Sequence, residues 1–288
     1  MSDKIKVYYQ LTKPGVLFGN VLTAGAGYFL AARGDIDWLV FAAMIVGTTL
    51  VIAAACVINN YLDQDIDAKM ERTKKRPSVV GLVSGAAMVS YGAILGLVGM
   101  GILYAWTNML VVAIGLIGFV TYVWLYGALS KRLSIHGTLV GSVSGALPIA
   151  GGYAAASGSV DAGLVICFLI LFFWQFPEFY SIAIYRRAEY AKANIPVMPV
   201  VVGIKPTITQ IYVYTLLYVL STLALTLYGY TGWVFGAVML VVGFAWMRLA
   251  SEGLGTNEPE KWARRMFKFS MYDLLLVSLL MTFSHLLP

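Results

Sequence analysis

Apolar runs of 18 residues or more recur along this 288-residue chain, and charged residues are almost confined to the breaks between them. A run of that length crosses the hydrocarbon core of a bilayer as a helix, which alone satisfies its own backbone hydrogen bonds there. The pattern predicts an all-α membrane protein. Nine candidate spans are centred near residues 23, 48, 94, 117, 145, 173, 217, 240 and 276. A mean hydropathy of +0.80 with 12% charged residues excludes a soluble globular domain. No small-residue cleavage site follows the first run, so it reads as a span and not as a removable signal peptide. The expectation is one domain over 1–288, a bundle of nine transmembrane helices around a central cavity open to the cytoplasmic side.

The net charge of +6 invites a nucleic-acid reading, but the cations are sorted by side and do not form a patch. Lys4, Lys6 and Lys13 precede the first span. The breaks after the second, fourth, sixth and eighth spans hold every other Lys and Arg except Arg33. Under the positive-inside rule this places the N-terminus in the cytoplasm and the C-terminus outside, in a multi-pass protein of the cell membrane. The basicity then serves topology and membrane lipid, not nucleic acid. Cys56 and Cys167 sit in separate apolar runs and read as small buried hydrophobes. His136 and His285 fall at opposite membrane faces and cannot share a metal.

Charge beside lipid is costly unless paired, hydrated or metal-bound, so its exceptions mark candidate sites. The end of the second span packs three aspartates (Asp63, Asp65, Asp67) and five cations (Lys69, Arg72, Lys74, Lys75, Arg76) into a short stretch. Asn59, Asp63 and Asp67 recur every four residues and would share one helical face. Two carboxylates and an amide so spaced can hold Mg²⁺, a hard cation that completes its shell with phosphate oxygens. The cations that follow, Arg72, Lys75 and Arg76 among them, offer charge-assisted hydrogen bonds to those phosphates. Asp65 projects from the opposite face and should be solvated. Glu178, Tyr185 and Glu189 are spaced to share a face at the end of the sixth span. Glu178 lies within an apolar run, where an acid is either functional or a helix-pairing group. Lys131 and Arg132 close the fourth span, where topology alone would also put cations. Asp273 reads as structural, snorkelling or pairing with Arg264, Arg265 or Lys268. Two polar helix ends thus face each other across a cavity suited to a diphosphate head and an apolar tail. Gly137, Gly141 and Gly145 suit close helix packing rather than phosphate cradling, which needs a strand-turn-helix context.

The string Asn59-Asn60-x-x-Asp63-x-x-x-Asp67, followed by Arg72-Thr73-x-x-Arg76-Pro77, resembles the first aspartate-rich motif of the UbiA-type intramembrane prenyltransferases. Lys13-Pro14 with Asn20, Tyr126 with Lys131-Arg132, Trp174-Gln175-x-Pro177 and Asn194-Ile195-Pro196-Val197-Met198-Pro199 extend the resemblance over most of the chain. Within that superfamily the chain is similar to the haem-farnesylating branch, the protohaem IX farnesyltransferases. The resemblance implies a nine-helix bundle that transfers farnesyl from farnesyl diphosphate to a vinyl group of haem b, giving haem O. It implies Mg²⁺-diphosphate held by Asn59, Asn60, Asp63 and Asp67. Leaving-group cations would be Arg72, Arg76, Lys131 and Arg132, with Asn20, Tyr126 and Asn194 about the site. Haem-copper oxidase assembly proteins are possible partners. Two positions depart: Glu178 stands where the branch usually has His, and Glu189 where it usually has Asp. Other branches, which prenylate quinone precursors or lipids, normally carry a second aspartate pair where Tyr185 and Glu189 stand. A different aromatic acceptor remains the alternative to haem. A transporter or scaffold is disfavoured because these acids gather at one helix end and not at the midplane.

Overall fold

The computed structural model describes residues 3–288, and among them all regular structure is helical. A short α1 (Asp3–Leu11) leads through Lys13, in the left-handed region at φ 53°, into α2 (Pro14–Ala32). Pro14 suits this start because a first-turn N–H has no helical partner to lose. Then come α3 (Trp38–Leu62), a single turn α4 (Gln64–Asp67) and α5 (Gly85–Trp106). α6 (Met109–Val120) runs into a π-helical stretch, Thr121–Ser130, and a final turn α7 (Lys131–Leu133). α8 (Gly137–Ser157) and α9 (Ala162–Tyr185) form the centre of the bundle. Two short helices, α10 (Arg187–Lys192) and α11 (Met198–Val201), lead to α12 (Ile204–Leu227), α13 (Trp233–Glu252) and α14 (Pro259–Thr282).

Eight of these helical segments are long and apolar enough to cross a membrane, not nine. The remaining long helix is α14, whose first half carries Glu260, Lys261, Arg264, Arg265 and Lys268, with Asp273 just beyond. It still buries Trp262, Met266, Ser270, Leu274 and Val277 at helical spacing and so packs as the ninth member of the bundle. Asp273 corrects an expectation: it neither snorkels nor pairs with the arginines of its own helix. It is buried beside Tyr218 of α12, with both carboxylate oxygens enclosed.

Side-chain caps start α3, α6 and α9 on one side of the bundle. Asp37 accepts from the Leu39 and Val40 amides, Asn108 from Val111 and Asp161 from Leu164. Each satisfies N–H groups that would otherwise be orphaned at the edge of the apolar zone. Glycine then lets α2 and α8 touch backbone to backbone. A Cβ on Gly152 would collide with the Ala24 carbonyl, and one on Gly27 with the Ile149 carbonyl. Large apolar side chains such as Leu97, Leu116, Trp124 and Val241 face outward, as they do when lipid is the solvent.

Candidate active site

A cavity of about 720 Å³ opens where α3 and α9 end and α8 begins. That is the range of small-molecule sites. Asp63 and Asp67 both line it and are nearly enclosed, at 1% and 4% exposure. The chain turns at Asp63 (φ −93°), yet the Asp63 and Asp67 amides still bond the Asn59 and Asp63 carbonyls. The four-residue register therefore survives the break, and the expected acidic face forms.

Each carboxylate meets a cation, Asp63 one from the distant end of the fourth span and Asp67 one from the loop that follows Asp67 itself. Lys131 Nζ lies 2.5 Å from Asp63 Oδ2, and Arg76 Nη1 lies 2.5 Å from Asp67 Oδ2. The Thr73 hydroxyl donates to the Asp67 carbonyl and folds the loop so that Arg76 reaches back. Asn60 supports this from behind the wall: its amide donates to the Leu11 carbonyl, and its oxygen faces Arg76 at 3.4 Å. Lys13, absent from the expected site, donates to Asn59 Oδ1 at 2.5 Å. Burial holds the Lys13 ammonium down, at a pKa of about 8.

Span 4 enters the cavity through its π-helical stretch, a form that often marks functional sites. Tyr122 and Tyr126 both line the wall from it, their rings 5.7 Å apart. From α9 come Trp174, whose indole donates to the Ser270 carbonyl, and Gln175, which donates to the Ser142 carbonyl. Glu178 and Tyr185 follow on the same wall. α8 and α9 run antiparallel with Gln175 against Ser142 and Gly145. Glu178, one turn nearer the mouth, therefore stands level with Gly141 and the Tyr126 ring packed on it.

Asn20, Arg72, Arg76, Tyr126 and Lys131 also line the cavity, whereas several expected residues do not. Glu189 is off the face predicted for it. The helix breaks at Arg186 (φ −113°), and Glu189 turns back to pair with Arg186 at 3.1 Å. Arg132 reaches along the outside to Asp65, at 2.8 Å and 2.9 Å, and to the Leu62 carbonyl. Asp65 is thus exposed but ion-paired, not free in solvent, and Arg132 holds its carboxyl below the usual range. Lys75 is exposed away from the cavity. Asn194 is exposed in a left-handed turn (φ 57°), a conformation Asn tolerates, and that turn delivers Ile195 and Pro196 to the wall.

Beyond the tyrosines the wall becomes apolar. Lining residues run from Asp63 down α3 to Thr48, from Tyr126 in the π-helical stretch down α6 to Val111, and along α8 from Gly137 to Gly151. At 1.5 Å per residue the stretches along α3 and α8 are about 21–23 Å long. Leu103, Val111 and Ile114 close the deep end. The cavity is also lined on its α9–α14 side, by Trp174, Phe267 and Leu274.

The donor set at the cavity mouth limits which divalent cation it suits. Among the described residues no three His, Cys, Asp or Glu side chains converge. This argues against zinc, which wants a closed set of nitrogen and sulfur ligands. Asp63 and Asp67 fit Mg²⁺, which takes one or two carboxylates and completes its shell with water and phosphate. Asp63 Oδ1 is buried without a hydrogen-bond partner, and Arg132 Nη2 lies 3.8 Å from it, so this expected leaving-group cation flanks the acidic pair from outside the cavity. Asn59 Oδ1 is already engaged by Lys13.

A family model described as the UbiA prenyltransferase family matches residues 20–272. "Protoheme IX farnesyltransferase 2" of Pseudomonas entomophila is 44% identical over 278 residues, covering 96% of this chain and 94% of that protein. "Protoheme IX farnesyltransferase" of Yersinia pseudotuberculosis matches at the same identity and coverage. In fold, the chain is similar to a digeranylgeranylglyceryl phosphate synthase, with a TM-score of 0.84 at 18% identity over 98% of this chain and 99% of that one. A UbiA homologue from Archaeoglobus fulgidus bound to GPP and Mg²⁺ matches with a TM-score of 0.72 at 13% identity, covering 96% and 99%.

Proposed function

Since this chain belongs to the UbiA prenyltransferase family, and is therefore a multi-pass membrane prenyltransferase, we propose that it transfers farnesyl from farnesyl diphosphate to a vinyl group of haem b. The observation that carries the reading is the junction of two environments in one cavity. Buried carboxylates and cations meet at its mouth, and an apolar trench of about 22 Å leads inward from them. A diphosphate suits the first and a chain of three isoprene units the second. Full-length relatives at 44% identity that carry the haem-farnesylating name select the acceptor.

Mg²⁺, held by Asp63 and Asp67, would neutralise charge on the departing diphosphate. The chain's own residues do the rest. Lys13, Arg76 and Lys131 turn their N–H groups to phosphate oxygens as negative charge gathers there. As diphosphate displaces them, Lys131 and Arg76 exchange a carboxylate partner for a phosphate one. The carbon–oxygen bond to diphosphate breaks and its electron pair leaves with the phosphate. The terminal vinyl carbon of haem bonds the allylic carbon, whose positive charge the Tyr122 and Tyr126 ring faces stabilise. The cation then left beside the macrocycle is quenched by water, and Glu178 takes the proton. The apolar walls keep other water from the allylic centre. With the basic helix ends at the mouth, the cavity opens to the cytoplasm, the N-terminus lies inside and the C-terminus outside.

Purified protein incubated with farnesyl diphosphate, Mg²⁺ and haem b should yield a haem heavier by one farnesyl and one hydroxyl group. Unmodified haem, under conditions where a curated relative converts it, overturns the reading. A farnesylated quinone precursor in its place would reassign the acceptor.

A further inference from the structure

The diphosphate cage does not use all the cations at the cavity mouth. Across from it, where α9 ends against α14, Tyr185 lines the cavity wall between two guanidinium groups. Arg264 lies 4.6 Å from the Tyr185 ring centroid and Arg186 lies 5.6 Å from it. Phe267 meets the same ring edge-on at 6.2 Å and also lines the cavity. Arg186 spends part of its capacity on Glu189. Arg264 is exposed and, among the described residues, forms no ion pair. Its neighbour Arg265, by contrast, pairs with Glu252 at 2.8 Å.

Topology explains why arginines lie at this end of the bundle, but not why one of them is stacked on a cavity tyrosine with its N–H edge free. Stacking on an aromatic face fixes a guanidinium without consuming its donors. A fixed guanidinium with free donors fits a carboxylate in bidentate geometry. The aromatic pair beneath it fits a flat, conjugated body.

We propose that Arg264, with Arg186, forms a carboxylate subsite that anchors the acceptor at the rim of the cavity on its α9–α14 side. The proposal rests on the haem reading above and gives it an orientation. Haem b carries its two propionates on one edge and its vinyl groups away from that edge. With the propionates on Arg186 and Arg264, the macrocycle lies along Tyr185 and Phe267. Its vinyl side then points inward to Glu178, seven residues deeper on α9 and roughly 10 Å away along the helix. Glu178 is level with Tyr126, where the allylic carbon would sit. The subsite thereby selects which edge of the acceptor meets the farnesyl group.

The test is a Soret titration of full-length protein in detergent without diphosphate, using haem b and haem b dimethyl ester, whose carboxylates are blocked. Wild type should bind haem b about tenfold or more tightly than the ester, the size of one charge-assisted contact. Arg264→Gln should narrow that difference and leave ester binding unchanged, Arg264→Gln combined with Arg186→Gln should close it, and Arg264→Lys should recover only part of what Arg264→Gln loses. In turnover, Arg264→Gln should raise KM for haem and leave KM for farnesyl diphosphate unmoved. Equal affinity of wild type for haem and ester, or an equal effect of Arg264→Gln on both, overturns the subsite. Wild type that binds haem selectively over the ester yet never farnesylates it would sink the reaction assigned above and leave the subsite standing.

Discussion

Lys13 and Asn59, 46 residues apart, meet at 2.5 Å on the inner side of the cation cage. The contact joins the start of α2 to the end of α3 and directs a buried ammonium at the space beside Asp63 and Asp67.

Lys13 gives the site a pH signature. Burial holds its folded pKa near 8, below the ordinary 10.5, so the ammonium is present below about pH 8 and lost above it. An anionic ligand binds the charged form. Affinity for farnesyl diphosphate should therefore fall as pH rises from about 7 to about 9.5, and Lys13→Arg should flatten the profile because a guanidinium stays charged. Isothermal titration across that range checks this; a wild-type affinity that does not change with pH removes Lys13 from the diphosphate site.

Asp63→Asn and Asp67→Asn should each lower turnover by about a hundredfold or more, the scale of losing a preorganised electrostatic group. Circular dichroism and gel filtration should show folded protein in both cases. EDTA should silence wild type and added Mg²⁺ restore it. Activity near wild type in either variant contradicts the role given to the carboxylates.

Glu178→Gln should cut kcat by about 10²–10⁴, the usual range for a proton acceptor, with haem affinity kept. Glu178→His should retain activity because imidazole can accept the same proton. Full activity in Glu178→Gln would make this acid a wall residue only.

Gly152→Ala forces a Cβ into the Ala24 carbonyl, and two backbones cannot yield as a side-chain tip can. The expected cost is about 1–3 kcal/mol, seen as a lower unfolding midpoint in detergent. Gly101→Ala meets nothing within 4 Å and should leave the midpoint unchanged or slightly raised. Equal midpoints for the two variants would mean that α2 and α8 do not pack this closely.

The residues differ in how readily the sequence disclosed them. Asp63 and Asp67 were legible because helical periodicity is fixed and acids are rare among apolar runs; the turn at Asp63 did not disturb their spacing. Glu189 was not legible, because the helix breaks at Arg186 with neither Gly nor Pro to announce it. Lys13 looked like one more topological cation, and only the folded chain shows that its left-handed turn aims it inward. Tyr122 joins Tyr126 on the wall because the two stand four residues apart and share a helical face, a spacing the sequence showed and the expected site left out. Asp273 lay near enough to arginines of its own helix to suggest pairing, yet its position on α14 turns it to Tyr218. The bundle itself was legible as apolar runs, except that the charges in the first half of α14 leave it short of a span by composition.

The most direct test of the central claim is a structure of the complex with Mg²⁺ and farnesyl thiodiphosphate, which resists cleavage. The account predicts the diphosphate group among Lys13, Asp63, Asp67, Arg76 and Lys131, with the farnesyl chain running between α3, α6 and α8 toward Ile114. A diphosphate bound away from Asp63 and Asp67, or a chain lying on the α9–α14 side of the cavity, would contradict it.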